Sequence, residues 1–365
     1  MATETTVMSP RDQLAQRWAD LREDNPKLRI RQAANELQVS ELELLLCREP
    51  EDVRPLKPEF SALLEAMESV GEVMILSRNE PVVHEVTGTF KDFHTSSSGA
   101  MGLAVGQMDV RVFFRNWHFG YQVQEQVRSG LRESLQFFDA HGQAIQKIYR
   151  TDNTDAESWQ VLIGQFLADA STTPDIQPPR APLKRADRQE INAEALRQDW
   201  ASLKDVHHFN AMLKRHSVDR LTALELVGPT YARRLDSGSN ETMALEQNAL
   251  GHLLTLVQKS QCPIMVFVGN PGIVQIHTGP VGRVVPTGPW LNILDPAFNL
   301  HANVASIQQW WRVQRPSSDG PVTSLEGYDA NGELVITLFG ARKPGQPESP
   351  QWQREMRTLE SQLCG

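Results

Sequence analysis

Short runs in which apolar and polar residues alternate occupy two separate stretches of the chain, and helical spacing precedes and follows each. In the first stretch the alternation predicts strands over Glu72–Ser77, Val82–Phe90, Leu103–Phe114, Tyr121–Gln126, Arg132–Phe138 and Ala144–Tyr149. Ahead of them, Arg29–Leu37 and Glu41–Leu45 read as two short helices around Gln38-Val39-Ser40, with Ser40 as N-cap, and a helix over Asp155–Leu167 follows. The second stretch predicts strands over Pro263–Gly269, Ile273–Thr278, Trp290–Asp295, Val304–Val313, Val322–Tyr328 and Leu334–Phe339, followed by a helix that carries Trp352. Runs of strands flanked by helices and joined by tight corners give an α+β class with antiparallel sheet.

The two stretches are copies of one unit. Leu14-Ala15-Gln16-Arg17-Trp18-Ala19-Asp20-Leu21 returns as Leu196-Arg197-Gln198-Asp199-Trp200-Ala201-Ser202-Leu203, and Val82–Gly88 returns as Ile273–Gly279. The corner Asp139-Ala140-His141-Gly142 returns as Asp329-Ala330-Asn331-Gly332, and Trp159-Gln160 as Trp352-Gln353. Each corner ends in the glycine that a left-handed turn position favours. Four landmarks recur in order, so an internal duplication is expected: residues 1–169 as the first repeat, a proline-rich linker over 170–184, and 185–365 as the second repeat.

Composition narrows the function. No run of eighteen apolar residues exists, and Met1–Thr6 lacks the basic and apolar regions of a signal peptide, so a soluble, cytoplasmic chain without membrane insertion is expected. Cys47, Cys262 and Cys364 are too few and too scattered for a disulfide frame or zinc cage. A net charge of -9 argues against general nucleic-acid binding. The helix pair within 28–46 resembles a helix-turn-helix, but Glu41, Glu43, Glu49, Glu51 and Asp52 would meet phosphates with the wrong sign.

Candidate chemistry gathers in Asp205–His216, which reads as one helix. Val206, Phe209, Leu213 and His216 form an inward face; His207, Asn210, Ala211 and Lys214 form the other. That second face offers an imidazole, a small residue one turn on and a cation, a set able to hold the metal of a planar anionic macrocycle.

The run Leu196–His207, followed by Met212-Leu213-Lys214-Arg215-His216, resembles the HemS/ChuS/PhuS/HmuS family of bacterial cytoplasmic haem-binding proteins, and the resemblance extends over nearly the whole chain. It implies two large antiparallel sheets related by a pseudo-twofold, haem b as ligand, and His207 as axial ligand of the iron, with His208 as fallback. Asn210 stands where some members carry a further histidine. Arg111 and Phe113, in Asp109-Val110-Arg111-Val112-Phe113-Phe114, match residues that face the far side of the iron; period-two geometry puts both on one strand face. The aligned segment of the second repeat, Asn299-Leu300-His301-Ala302-Asn303-Val304, has no such arginine. For the propionates the resemblance implies Arg220, Arg315 (a lysine in the family) and Arg342, whose planar forks match carboxylates. Tyr328 lies near the position of a propionate-side tyrosine but out of step with it.

Other candidates read as structural. Cys262-Pro263 resembles a thiolate haem motif but also an ordinary strand entrance; His84 and His277 sit on half-buried strands, His84 being a conceivable secondary haem contact; His118 reads as packed or surface. Two functions follow from the resemblance. One is an enzyme resembling a haem oxygenase, in which an external donor supplies electrons and Arg111 stabilises iron-bound oxygen. The other is a carrier that takes haem from the cytoplasmic face of an ABC importer and delivers it to a separate haem oxygenase.

Overall fold

The computed structural model describes residues 8–128, 130–169, 173–235, 248–343 and 345–364. In the first half of the chain the helices are α1 (Pro10–Asp24), α2 (Ile30–Leu37), α3 (Glu41–Leu45), α4 (Phe60–Ala66) and α5 (Ala156–Phe166). The strands there are β1 (Val53–Pro55), β2 (Gly71–Arg78), β3 (Val82–Thr89), β4 (His94–Thr95), β5 (Met101–Ala104), β6 (Asp109–Phe113), β7 (Phe119–Val127), β8 (Gly130–Phe138) and β9 (Ala144–Thr154). The second half has α6 (Ala193–Ala201), α7 (Phe209–Arg215), α8 (Arg220–Val227), α9 (Ala249–Ser260) and α10 (Pro350–Cys364). Its strands are β10 (Ala232–Arg234), β11 (Ile264–Asn270), β12 (Ile273–Gly279), β13 (Val284–Thr287), β14 (Trp290–Leu294), β15 (Phe298–Asn303), β16 (Gln309–Arg315), β17 (Val322–Tyr328) and β18 (Leu334–Gly340).

These elements form two compact units. One holds the described residues up to Leu76 together with Thr87–Arg180 and Pro271–Ile273; the other holds Ser77–Val86, Ala181–Asn270 and the described residues from Val274 onward. The change at 180 falls within the proline-rich segment, of which 170–172 lie outside the described residues. Ser77–Val86 belong with the second half of the chain because Val82–Val86 of β3 pair antiparallel with Ala302–Phe298 of β15.

Within each unit the same strand order recurs: β1-β7-β8-β9-β2 in the first, β10-β16-β17-β18-β11 in the second. Registers match as well, with Phe119 opposite Phe138 and Gln309 opposite Tyr328, and the ladder shifts at Phe137/Phe138 and at Gly327/Tyr328. The corners work by one mechanism. Asp139 Oδ1 accepts the backbone N–H groups of His141 and Gln143, Asp329 Oδ1 those of Asn331 and Glu333, and Gly142 and Gly332 take positive φ (71° and 79°). Helices repeat too: Gln38 and Ser217 are both left-handed, and two residues later Ser40 and Asp219 cap α3 and α8 through the N–H groups of Glu43 and Thr222.

Each unit's core is anchored by its conserved-in-pattern tryptophans. Trp18 packs with Ala33, Ala34 and Leu44, while Trp200 packs with Phe209, Met212 and Leu221. Fully buried Trp159 and Trp352 dock the closing helices, and Trp352 donates its Nε1–H to Thr323 O at 2.9 Å. Gly340 permits that docking, since a Cβ there would lie 2.4 Å from Trp352 Cγ.

Three expected elements divide differently. Leu103–Phe114 is not one strand: Gly106, at φ 136°, turns the chain between β5 and β6. Val304–Val313 begins with a 3-10 turn over Val304–Ser306, closed by Ile307 N–H to Val304 O, before β16 starts. Asp205–His216 is a 3-10 turn over Val206–His208 followed by α7, because the Asp205 carboxylate takes the His207 N–H and its carbonyl takes the His208 N–H. The helix-turn-helix reading fails on burial: Glu41, Leu42, Leu44 and Leu45 of the would-be recognition helix all face inward. Among the described residues no helix is long and apolar enough to cross a membrane.

Candidate functional site

The second unit builds its candidate site on the floor made by Trp200 and Phe209. Helix α6 presents Trp200, whose Nε1–H is fixed by Gln314 O at 2.9 Å, and Phe209 meets it edge-on at 4.8 Å between ring centroids. Two guanidiniums lie over Phe209, with Arg315 Cζ 4.2 Å and Arg220 Cζ 5.0 Å from the ring centroid. Between them sits Glu326, fully buried. Its Oε1 receives Arg315 Nη2 at 2.5 Å and Ser324 Oγ at 3.1 Å, and its Oε2 receives Tyr328 Oη at 2.5 Å. Arg220 Nη1 lies 3.4 Å from both oxygens, and its Nη2 is 3.3 Å from Asn210 Oδ1. Burial alone would raise the Glu326 pKa, but the charges of Arg315 and Arg220 and the Tyr328 hydrogen bond outweigh it and hold it at about 2. The three ionised groups therefore sum to one positive charge.

The arginines expected at the propionates do not stand alike. Arg220 keeps 24% of its side chain exposed. Arg315 has 4% of its side chain exposed, with both Nη atoms taken by Ser324 and Glu326, so it offers no open face to a ligand. Tyr328, out of step in sequence, is brought into the cluster because β17 points Ser324, Glu326 and Tyr328 to one side. Arg342 is half-buried, and its Nη1, shielded from solvent, has no hydrogen-bond partner among the described residues. Its charge acts on the carboxylates of Glu348 and Asp205. Burial raises the Glu348 carboxyl, an effect that Arg342 opposes; Asp205 is held below the usual carboxylate range first by the His207 N–H and further by His207, His208 and Arg342.

Above this cluster the Asp205-capped turn presents His207 and His208, both exposed, and α7 continues with exposed Asn210, Ala211 and Lys214. Phe209 and Leu213 face the core, as the pattern required, and so does Met212, which the pattern left out. His216 caps α7 and is tied by Nε2 to Asp199 Oδ2 at 3.0 Å. Neither ring nitrogen of His207 or His208 is hydrogen-bonded among the described residues, so both remain open to a ligand. An orphaned buried Arg342 donor, an outward-reaching Arg220 and a free imidazole fit a metal that brings its own planar ligands and acidic groups.

In the first unit, Arg111 and Phe113 share a face of β6 and are half-buried. Arg111 Nη1 is folded back on its hairpin, donating to Ala104 O (3.1 Å), Val110 O (3.0 Å) and Asp109 Oδ1. The rest of the fork is uncommitted among the described residues, which leaves Nε and Nη2 for a ligand.

The remaining candidates are structural in their surroundings. Cys262 is fully buried, which closes it to a macrocycle, and burial pushes its thiol up to about 11. His84 is fully buried, with Nδ1 2.9 Å from Gln275 Nε2 and its ring 4.9 Å from that of Phe298. His277 stacks on Phe298 at 3.8 Å. His118 is exposed. Sequence reading missed Glu326 entirely. Its only signal was an acid in the Val322–Tyr328 strand flanked by Ser324 and Tyr328 at period two.

The model of the family described as the haemin-degrading HemS.ChuX domain matches the chain twice, over residues 38–166 and 217–359. The hemin transport protein HemS of Yersinia enterocolitica is 35% identical over 344 residues, covering 94% of this chain and 96% of that protein. Among solved structures, holo-PhuS, a haem-binding protein of Pseudomonas aeruginosa, superposes with a TM-score of 0.87 at 41% identity, covering 95% of this chain and 98% of that one. ChuS, the haem-degrading enzyme of Escherichia coli O157:H7, gives 0.86 at 36% identity over 96% and 99%. With its two repeats matched by the family model and a relative of nearly equal length aligned end to end, the chain belongs to the HemS/ChuS/PhuS family.

Proposed function

We propose that this protein binds one haem b in a bacterial haem-uptake system, accepts it after import, and releases its iron or hands it on. In this reading His207 is the axial ligand, Lys214, Arg220 and Arg342 receive the two propionates, and Arg111 with Phe113, carried by the first unit, has the catalytic role if the protein is an enzyme. The observation that carries it is the pairing of a free, exposed imidazole turn with a buried cluster of net charge +1 and an unpartnered Arg342 donor, all within one unit. The haem itself supplies the iron and its redox chemistry. The chain's contribution is an imidazole, cations for the carboxylates and an apolar floor.

Membership in the family supports haem handling, and the relatives' names divide between transport and degradation. Arg111 is the residue on which the two differ. Its fixed guanidinium can donate hydrogen bonds but cannot supply a proton, so protons for any ring opening must come from water. Uptake of ferric haem followed at the Soret band tests the proposal: one equivalent is expected, and two equal sites, or none, refute it. Single turnover with a reductant and catalase then separates the roles. Tetrapyrrole products that survive catalase mark an enzyme; unreacted haem moving to an added haem oxygenase marks a carrier.

A further inference from the structure

The cluster over Phe209 contains more machinery than a ligand contact requires. Glu326 is fully buried and accepts from Arg315, Ser324 and Tyr328 at 2.5 to 3.1 Å, whereas Arg220 stands off at 3.4 Å. Three interior donors thus hold the carboxylate more closely than Arg220, whose Nη1 shares its two oxygens at the longer distance. Arg220 is steered by Glu326 without being neutralised by it, and its exposed edge keeps an unspent positive charge. Phe209 beneath and Asn210 beside it fix the remaining freedom of the guanidinium.

We propose that Glu326, locked by Arg315 and Tyr328, is a positioning residue for carboxylate recognition: it aims the Arg220 fork outward and limits the cluster to the charge of one cation, so that it selects a single carboxylate. Arg315 then acts as the buried counter-charge of Glu326 and touches no ligand. The inference rests on the reading that the second unit binds a macrocycle bearing acidic side chains. Preorganisation is the physical gain. A guanidinium already held in its bound pose loses less freedom on binding, and two planar forks meet only when that pose is right.

The test compares ferric protoporphyrin IX with its dimethyl ester, in which both carboxyls are capped, by Soret titration under one set of conditions. The ratio of the two Kd values reads carboxylate recognition apart from iron ligation and apart from folding. Arg220→Ala should lower the ratio by about tenfold, the scale of one charge-assisted hydrogen bond. The double variant Arg315→Met/Glu326→Gln, which leaves the summed charge unchanged, should lower it similarly, while Arg315→Lys should preserve it. If the double variant does not fold, Tyr328→Phe carries the test. Removing one donor from Glu326 lets the carboxylate draw Arg220 inward, and the ratio should fall about threefold. A ratio unmoved in the folded double variant, or in Tyr328→Phe, while Arg220→Ala lowers it, would reduce Glu326 to a structural role and overturn the proposal. An Arg220→Ala ratio equal to wild type overturns it as well. Wild-type protein that binds neither porphyrin defeats the underlying haem reading instead.

Discussion

Acid should loosen the second unit through two imidazoles outside the proposed site. His84 is fully buried and His277 is stacked on Phe298; burial drives their pKa values to about 3 and about 4, with the neighbouring His277 charge lowering His84 further and Asp295 opposing the shift of His277. A group whose folded pKa lies below its unfolded value of about 6.5 stabilises the fold in its neutral form, and that contribution is lost as pH falls below 6.5. At pH 5 the protonated form of an unfolded imidazole outweighs the neutral one about thirtyfold, while the buried ones stay mostly neutral, so each histidine forfeits about 2 kcal/mol between pH 7.5 and pH 5. Glu326 is silent in that window. Its folded pKa of about 2 lies below that of an unfolded glutamate, so its contribution fades only as pH falls from about 4.5 towards 2. Denaturant unfolding of wild type and His84→Leu at both pH values measures the effect: the variant pays a constant cost for the lost Gln275 bond but loses about 2 kcal/mol less on acidification. Equal losses would refute the burial argument. The control matters for function, because haem release at pH 5 reports on the proposed site only if the unit that carries it remains folded.

Other outcomes follow from the site. His207→Ala should change the Soret and visible bands and speed haem loss at least tenfold more than His208→Ala, read by transfer to a haem scavenger; equal effects would move the ligand or share it. Arg111→Ala should retain haem affinity within about tenfold, since its Nη1 is already spent on its own hairpin, yet slow any reductant-driven ring opening, read by single-turnover spectra. Cys262→Ala should leave the haem spectrum unchanged, because the fully buried thiol presents no sulfur to a ligand; a changed spectrum would place sulfur at the iron.

Much of the fold was legible because its signals are local. Ser40 as a cap, the Asp-x-x-Gly corners, and the alternation in Val322–Tyr328 and Leu334–Phe339 each depend on neighbours in sequence, and the duplication doubled every such signal. What sequence reading lost were breaks decided by one or two residues: the Gly106 turn within Leu103–Phe114, and the Asp205 cap that tightens the His207 turn into 3-10 geometry. In the site, the inward and outward faces of α7 were correctly separated, since helix periodicity alone decides them. The difference between Arg220 and Arg315 could not be read that way. Both are arginines near the right places, and both pair with Glu326, over a hundred residues from Arg220, which encloses Arg315 and leaves Arg220 partly exposed.

The duplication supplies its own control for the functional argument, because one scaffold is seen with two sets of side chains. Matching the caps Ser40 and Asp219 places Leu28 where the second unit has His207, Ile30 where it has Phe209, and Glu41 where it has Arg220. Matching β7–β8 with β16–β17 places Glu125 at Arg315, Gln136 at Glu326 and Phe138 at Tyr328. Every charge that makes the second cluster cationic is thereby inverted or erased. Glu41, itself buried, is instead held by Lys147 at 3.2 Å and Arg31 at 3.1 Å, and Glu125 by Arg48 and Arg132. In the first unit the Glu41–Lys147 bridge ties α3 to β9, and no imidazole stands at the position that matches His207. A backbone that tolerates both arrangements cannot be what specifies the ligand. In the proposed reading the axial imidazole and the propionate-binding cations are side chains that the second copy carries and the first lacks at the matching positions, so one haem per chain is the expected stoichiometry.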